Sequence, residues 1–276
     1  MRRRSDIRGA GGREDRTPAG FRGETLETRA GRTRSASRAA TRSQDRGAER
    51  VSPREPGRGP VRSESLGRPL PRAFYDRPAV ALARDLIGRL LVCDLPAGRV
   101  SGFIVETEAY RGGLDPASHA FRGPTARNRV MFGPPGHAYV YSIYGMHRCL
   151  NLVAEPEGRA AAVLLRALAP CEGVDLMRRR RGGEAWERLA RGPGNLGRAL
   201  GLAPGHNGCD LVAGRLWVSD RPAVKFGLPV TTSSRIGVTR ARERPWRFFL
   251  AGHPCVSGPR GRGPGRPAVS SRLTPP

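Results

Sequence analysis

Large apolar side chains are almost missing from residues 1–70 and then recur in regular patterns from position 78 onward, which confines any packed core to the rest of the chain. The first 70 residues hold 18 arginines and nine acids among many Gly, Ser and Pro. Such a segment cannot bury enough apolar surface to offset its ordering entropy, about 1–2 kcal/mol per residue for the backbone alone. Residues 259–276 have the same character, with four arginines and no acid. The expected organisation is a disordered Arg-rich extension over 1–69, one folded domain over 70–258, and a disordered basic tail over 259–276. The middle segment is of a size that suits a single domain.

The formal net charge is +25, from 49 basic and 24 acidic residues in 276. Setting aside +9 on the leader and +4 on the tail leaves +12 on the folded part. A field of this sign favours polyanions, nucleic acid above all, with affinity set largely by phosphate neutralisation. Lys225 is the only lysine. A GC-rich codon bias accounts for arginine replacing lysine, but not for the two-to-one excess of bases over acids. The five cysteines, at 93, 149, 171, 209 and 255, are odd in number, scattered and free of any Cys-x-x-Cys. That argues against a disulfide framework or a zinc site and for a reducing cytosol. No apolar run reaches the roughly 18 residues of a membrane span, and no apolar segment follows the basic N-terminus as a signal peptide requires.

Within the folded part, the apolar spacing of Val80, Leu82, Ala83, Leu86, Ile87, Leu90 and Leu91 predicts an amphipathic helix to Gly88 that leads into a strand. Val100 to Tyr110 alternates as a strand and places Ile104, Glu106, Glu108 and Tyr110 on one face. Strands are expected at 139–143 and 149–154 around a turn at Tyr144-Gly145-Met146. A further strand at 160–168 is apolar except for Arg166. Helices are expected at 172–181 and 196–202, and a strand-like run at 211–218. Helix–strand alternation of the parallel type is scarce, so the fold class is α+β, a single mixed domain with an antiparallel sheet.

Four of the five tyrosines fall between 110 and 144, beside the acidic run Glu106-Thr107-Glu108-Ala109-Tyr110. A carboxylate among aromatics in a cationic chain suggests a pocket that holds a base. Cleavage of an N-glycosidic bond passes through an oxocarbenium-like sugar, which a carboxylate can stabilise while deprotonating the attacking water. Spacing alone leaves Glu106 and Glu108 equivalent, and either could be a strand carboxylate paired with an arginine. Tyr110, His119 and Tyr141 are the stacking candidates, the alternative being ordinary core and loop roles. Tyr144 stands at a turn where a base-flipping protein needs a wedge, or where a hairpin tip packs on itself. Arg166 in an apolar strand requires a phosphate or carboxylate partner. Arg191-Gly192-Pro193-Gly194-Asn195 opens a helix whose free N–H groups could take a phosphate.

These pieces occur in a fixed order with Arg127-Asn128-Arg129, Tyr139-Val140-Tyr141, Leu150-Asn151 and Val163-Leu164-Leu165-Arg166-Ala167. Ala83-Arg84-Asp85-Leu86-Ile87-Gly88 lies upstream. Ser234-Arg235-Ile236-Gly237 and Pro245-Trp246-Arg247-Phe248-Phe249-Leu250 lie downstream. The ordered set, covering about 70–257, closely resembles bacterial members of the alkyladenine (3-methyladenine) DNA glycosylase family. The resemblance implies a curved antiparallel sheet with flanking helices, no metal or organic cofactor, and excision of damaged purines in base-excision repair. By the same resemblance Glu108 matches the water-activating carboxylate, and Tyr110, His119 and Tyr141 the walls around the flipped base. Tyr144 matches the wedge and Met146 its neighbour in the minor groove. Asn151 matches the residue that crowds the exocyclic amine of guanine, and Arg166 a basic residue beside the flipped nucleotide.

Three departures stand out. Asn195 replaces the lysine found in many members after Gly-Pro-Gly. Two extra residues lie between Asn151 and Arg166, in the Glu155-Pro156-Glu157-Gly158 turn. The leader is outside the family pattern, and reads either as a DNA-retention tail or as a start assigned too early. The expected function is a monofunctional DNA N-glycosylase, a cytoplasmic, nucleoid-associated monomer whose partner is double-stranded DNA containing damaged purines. Lyase chemistry wants a nucleophilic amine, and Lys225 is far from the motifs. A non-catalytic damage-binding or nucleoid protein is the rival of another class. A small-molecule transferase or hydrolase is disfavoured by the charge and the wedge.

Overall fold

The computed structural model describes residues 66–143 and 145–258; the leader, the C-terminal tail and Tyr144 lie outside the described residues. The elements are α1 (Arg72–Tyr75), α2 (Ala79–Asp85), β1 (Leu90–Leu95), β2 (Gly98–Arg111), β3 (Ala138–Ile143), β4 (His147–Ala154) and β5 (Ala161–Glu172). There follow α3 (Val174–Arg181), α4 (Pro193–Leu200), β6 (Leu216–Val218), β7 (Val230–Ser233) and β8 (Arg247–Leu250). Every ladder is antiparallel. The strand order is β3-β4-β5-β2-β1-β6, with β8 beside β2 and β7 beyond β8. The fold is therefore α+β with a curved antiparallel sheet, as expected.

β2 organises the sheet because its 14 residues are long enough to serve three partners. Gly98–Phe103 pairs with β1, Glu106–Glu108 pairs with β8, and most of the opposite edge pairs with β5. The side chains of the central strands alternate between two environments, as a period of two requires. Val140, Leu150, Leu152, Val163, Leu165 and Ala167 enter the main core with Leu82 of α2 and Leu196 of α4. Tyr139, Val153 and Ala162 instead join Ala120 and Met131 in a second cluster. A Cβ at Gly197 would stand 1.9 Å from the Arg148 carbonyl oxygen, so only glycine lets α4 lie this close to β4.

In β2 strict alternation fails just before Glu106. Ile104 and Val105 are both in the main core, because the β2–β5 register slips between Ile104 and Glu106 and again between Glu106 and Thr107. A bulge re-aims the side chains that follow it. Ile104 therefore packs with the core, and does not continue the row of Glu106, Glu108 and Tyr110.

Element ends also shift from the sequence expectation. α4 begins at Pro193, whose fixed φ suits the first helical position. Only Leu216–Val218 of the 211–218 run is strand. The Asp210 Oδ1 accepts the Val212 N–H at 2.9 Å and holds the preceding residues in a turn. Leu66 is buried with Leu90 and Val92, so packing reaches back to the first described residue. No helix among the described residues is long and apolar enough to cross a membrane.

Candidate active site

A cleft of about 750 Å³ opens on the side of the second cluster, and Tyr110, His119, Tyr139, Tyr141, Asn151 and Arg166 all contribute to its lining. Glu108 lies directly behind it. Its Oε1 accepts the Ile236 N–H at 2.7 Å and stands 3.2 Å from Arg166 Nη1, while its Oε2 accepts the Tyr110 hydroxyl at 2.8 Å. All three partners line the cleft, so Glu108 is held directly behind its wall. A carboxylate offers about four acceptor positions. Three donors leave one open, on Oε2. Burial pushes the Glu108 carboxyl above the usual carboxylate range. Arg166, the Ile236 N–H and the Tyr110 hydroxyl pull it back, and Glu106 adds to the rise.

Glu106 has a different shell. Its Oε1 accepts from Arg166 Nε at 3.0 Å, Arg247 Nε at 2.7 Å and Ser257 Oγ at 3.0 Å, and its Oε2 accepts the Ser257 N–H at 2.6 Å. Four donors reach it, three at Oε1 and one at Oε2, and of these Arg247 and Ser257 stand outside the cleft lining. Arg166, buried in β5, thus spans both glutamates and also reaches Ser257 Oγ at 3.3 Å through Nη2. Its partner is a pair of carboxylates.

The aromatic wall is tightly coupled. The rings of His119 and Tyr141 meet edge-on at 4.5 Å, those of Tyr139 and Tyr141 lie 5.4 Å apart, and His119 Nδ1 is 3.1 Å from the Tyr139 hydroxyl. Burial, and then the charge of Arg127, hold His119 below its usual value, which favours the neutral ring. Two devices fix the loop that carries His119. Asn128 Nδ2 donates to the carbonyls of His119 and Gly123 at 2.9 and 3.0 Å. Arg235 grips Asp115 through two nitrogens, at 2.5 and 2.8 Å, both side chains being wholly buried. Burial works to raise the Asp115 carboxyl, but the Arg235 contacts overcome it and hold it below the ordinary range. The Arg235 guanidinium also covers one face of the Tyr110 ring, 4.7 Å from its centroid. One arginine therefore ties the His119 loop, Tyr110 and the Ile236 segment together.

Asn151 is buried on β4 and donates from Nδ2 to the Tyr139 carbonyl at 3.1 Å, which fixes its amide at the cleft surface. Tyr144 lies outside the described residues. Met146, 72% exposed, borders a separate hollow. Pro193 brings the start of α4 to the cleft, whereas Gly194 packs on His147. Arg191 donates from Nε to the Val256 carbonyl at 3.0 Å and borders a third hollow. The structure thus brings Glu108, Tyr110, His119, Tyr141, Asn151 and Arg166 together, and sets Met146, Arg191 and Gly194 apart from the cleft lining. Sequence reasoning missed Tyr139, Asn128, Ser257 and the Asp115–Arg235 pair as parts of the site. Tyr139, Asn128 and Arg235 stood inside recognised motifs, but Ser257 had no signal. Among the described residues no group of three or more His, Cys, Asp or Glu could hold a metal ion.

Comparison with known proteins decides the family. The profile of the methylpurine-DNA glycosylase (MPG) family matches residues 73–254. The chain belongs to that family. A relative from Methanocella arvoryzae, provisionally named a 3-methyladenine DNA glycosylase, is 54% identical over 193 residues, spanning 68% of this chain and 95% of its own length. Relatives with the same provisional name from Rubrobacter xylanophilus and Chlorobaculum parvum are 52% and 49% identical, covering 65% and 67% of this chain and 94% and 88% of themselves. Family membership makes this a DNA glycosylase, an N-glycosyl hydrolase of alkylated-base repair.

Proposed function

We propose that the chain is a monofunctional glycosylase that releases 3-methyladenine-type purines from double-stranded DNA, acting as a monomer on nucleoid DNA in the cytoplasm. The catalytic unit is the segment 70–258, with the basic leader and tail as accessory DNA contacts. The observation that carries this reading is the buried Glu108, raised above the carboxylate range and one acceptor short of saturation, behind an aromatic cleft.

The damaged nucleotide leaves the stack, with Tyr144 filling the gap beside Met146, and its base enters the cleft against Tyr110, His119 and Tyr141. Unstacking costs a few kcal/mol and is least for a damaged base. An alkylated purine carries positive charge, so aromatic faces attract it and a neutral His119 does not repel it. Water bound at the open position of Glu108 Oε2 gives its proton to the carboxylate as its oxygen bonds to C1′. The C1′–N bond breaks, its electron pair neutralises the departing base, and an abasic site remains. A cationic leaving group needs little acid assistance, so one carboxylate suffices. Glu108 also stabilises the oxocarbenium-like sugar. Asn151 restricts guanine through its exocyclic amine. Arg166, Arg191 and Gly194 are assigned to contacts with the flipped nucleotide and its phosphates.

Incubation with methylated duplex DNA and identification of the free bases tests this. Release of 3-methyladenine with an abasic product is expected. Tight binding of the same DNA with no base released would contradict it and favour a damage-binding protein.

A further inference from the structure

Separate from the aromatic cleft, a hollow of about 260 Å³ lies against the hairpin and α4, with Met146 at its border and Arg148, Arg180 and Arg198 around it. No carboxylate lines it. Two of the arginines are partly engaged by carbonyls at the end of α4 and just past its Gly201 cap. Arg180 Nη1 donates to Ala199 and Leu200, each at 3.0 Å, and Arg148 Nη1 donates to Leu202 at 3.3 Å. These are normal partners for cations at a helix C-terminus. Donors are left over. Arg148 Nε is buried and donates to no acceptor among the described residues. Arg198 is the exposed position of α4 and pairs with no carboxylate among the described residues. Positive charge is crowded here. Burial and then Arg198 pull Arg181 below its ordinary value, and burial likewise lowers Arg180, with Arg179 adding to the effect. Gly197 seats closely on the Arg148 carbonyl, which brings the α4 backbone at Arg198 near the β4 backbone at Arg148.

We infer that this hollow binds a phosphate of the DNA backbone running past the β3–β4 hairpin, with Arg198 as its principal contact and the Arg148 and Arg180 guanidinium groups as neighbouring charge. The inference rests on the DNA-binding part of the proposed function. Its chemistry is that of any phosphate, but the exposed Met146 at the border and the cationic surroundings suit a polyanion that extends beyond a single group. A contact here fixes the duplex on the α4 side of the hairpin, where the cleft residues do not reach.

The test is binding of the full chain to a short undamaged duplex from about 50 to 200 mM salt. Arg198→Ala should make the slope of log K against log salt shallower by about 0.9, equivalent to roughly eightfold weaker binding at 0.1 M salt. Arg198→Lys should restore most of the slope. Arg179→Ala, exposed on α3 and outside the hollow, should shift it much less. An unchanged slope for Arg198→Ala, or an equal shift for Arg179→Ala, overturns the site. Loss of inorganic phosphate binding by Arg198→Ala with the duplex slope unchanged also overturns the assignment to DNA. Because the readout is binding to undamaged DNA, a protein that releases no base but shows the shift would sink the glycosylase reading alone.

Discussion

Glu106 and Glu108 leave one strand two positions apart and are both wholly buried, yet their surroundings do different things. Glu106 receives four donors from β5, β8 and the Ser257 segment, and holds these together. Glu108 receives three, keeps one acceptor position, and has its donors drawn from the lining of the cleft. A carboxylate held by donors outside the cleft lining is a structural anchor. One whose partners all line an entrance, with a position left on Oε2, is the one placed to hold water. Arg166 touches both, so the anchor also sets the position of the cation beside the reactive group.

The largest expected effects break the anchoring side of this comparison. Glu106→Gln removes the carboxylate that Arg166 Nε and Arg247 Nε share, leaving Arg166 with Glu108, and removing one partner of a buried pair costs roughly 3–5 kcal/mol. Denaturant unfolding should show that loss while folded protein retains most of its excision rate. Asp115→Asn, which strips the buried Arg235 of its partner, should cost a similar amount. The Asp115 carboxyl is held below its ordinary range, so its contribution is present above the unfolded Asp value, about 3.9, and disappears as pH falls through the folded one. Stability of the Asp115→Asn variant should therefore fall less on acidification than that of the wild type. A wild-type unfolding curve for either variant would remove the anchor role.

Next in size is Glu108→Gln, which leaves Arg166 still paired with Glu106. Single-turnover release should fall by about 10²-fold or more with DNA binding kept, and the loss of stability should be smaller than for Glu106→Gln. A smaller effect again is expected at the cleft surface. Asn151→Ser removes crowding and should raise release of guanine or 7-methylguanine by a modest factor, with 3-methyladenine release largely spared. Shape discrimination of this kind is worth roughly 1–3 kcal/mol. Unchanged guanine release would remove that role.

Much of this could be read from residues alone, for definite reasons. A period of two put Glu106, Glu108 and Tyr110 together, and the arginine in an apolar strand announced a carboxylate or phosphate partner. The two glutamates could not be told apart, because what separates them is contributed from far along the chain. Ser257 and Arg247 close the shell of Glu106, and the Ile236 backbone N–H serves Glu108. The bulge after Ile104 was equally hidden, since slips in register against β5 leave no mark on the sequence of β2. Tyr139 reads as core because it is core, 1% exposed, even while its hydroxyl orients His119. The short β7 and β8 carry too few residues for their pattern to be distinctive.

The smallest predicted change concerns the titration of Glu108. Arg166, the Ile236 N–H, Tyr110 and Glu106 face it, with Arg235 close enough to interact. Removing the negative charge in Glu106→Gln should lower the Glu108 value slightly, so that activity persists to somewhat lower pH.

The pH dependence of single-turnover 3-methyladenine release, measured with saturating wild type, Glu106→Gln and Glu108→Gln, tests the central claim most directly. A base whose ionised form is active, with its carboxyl raised by burial, loses rate as pH falls through a value above the ordinary Glu range near 4.3. That acid limb should appear in the wild type, persist slightly lower in Glu106→Gln, and vanish with the rate in Glu108→Gln. A Glu108→Gln protein that keeps both rate and limb, or a folded Glu106→Gln protein that loses both, would contradict the account.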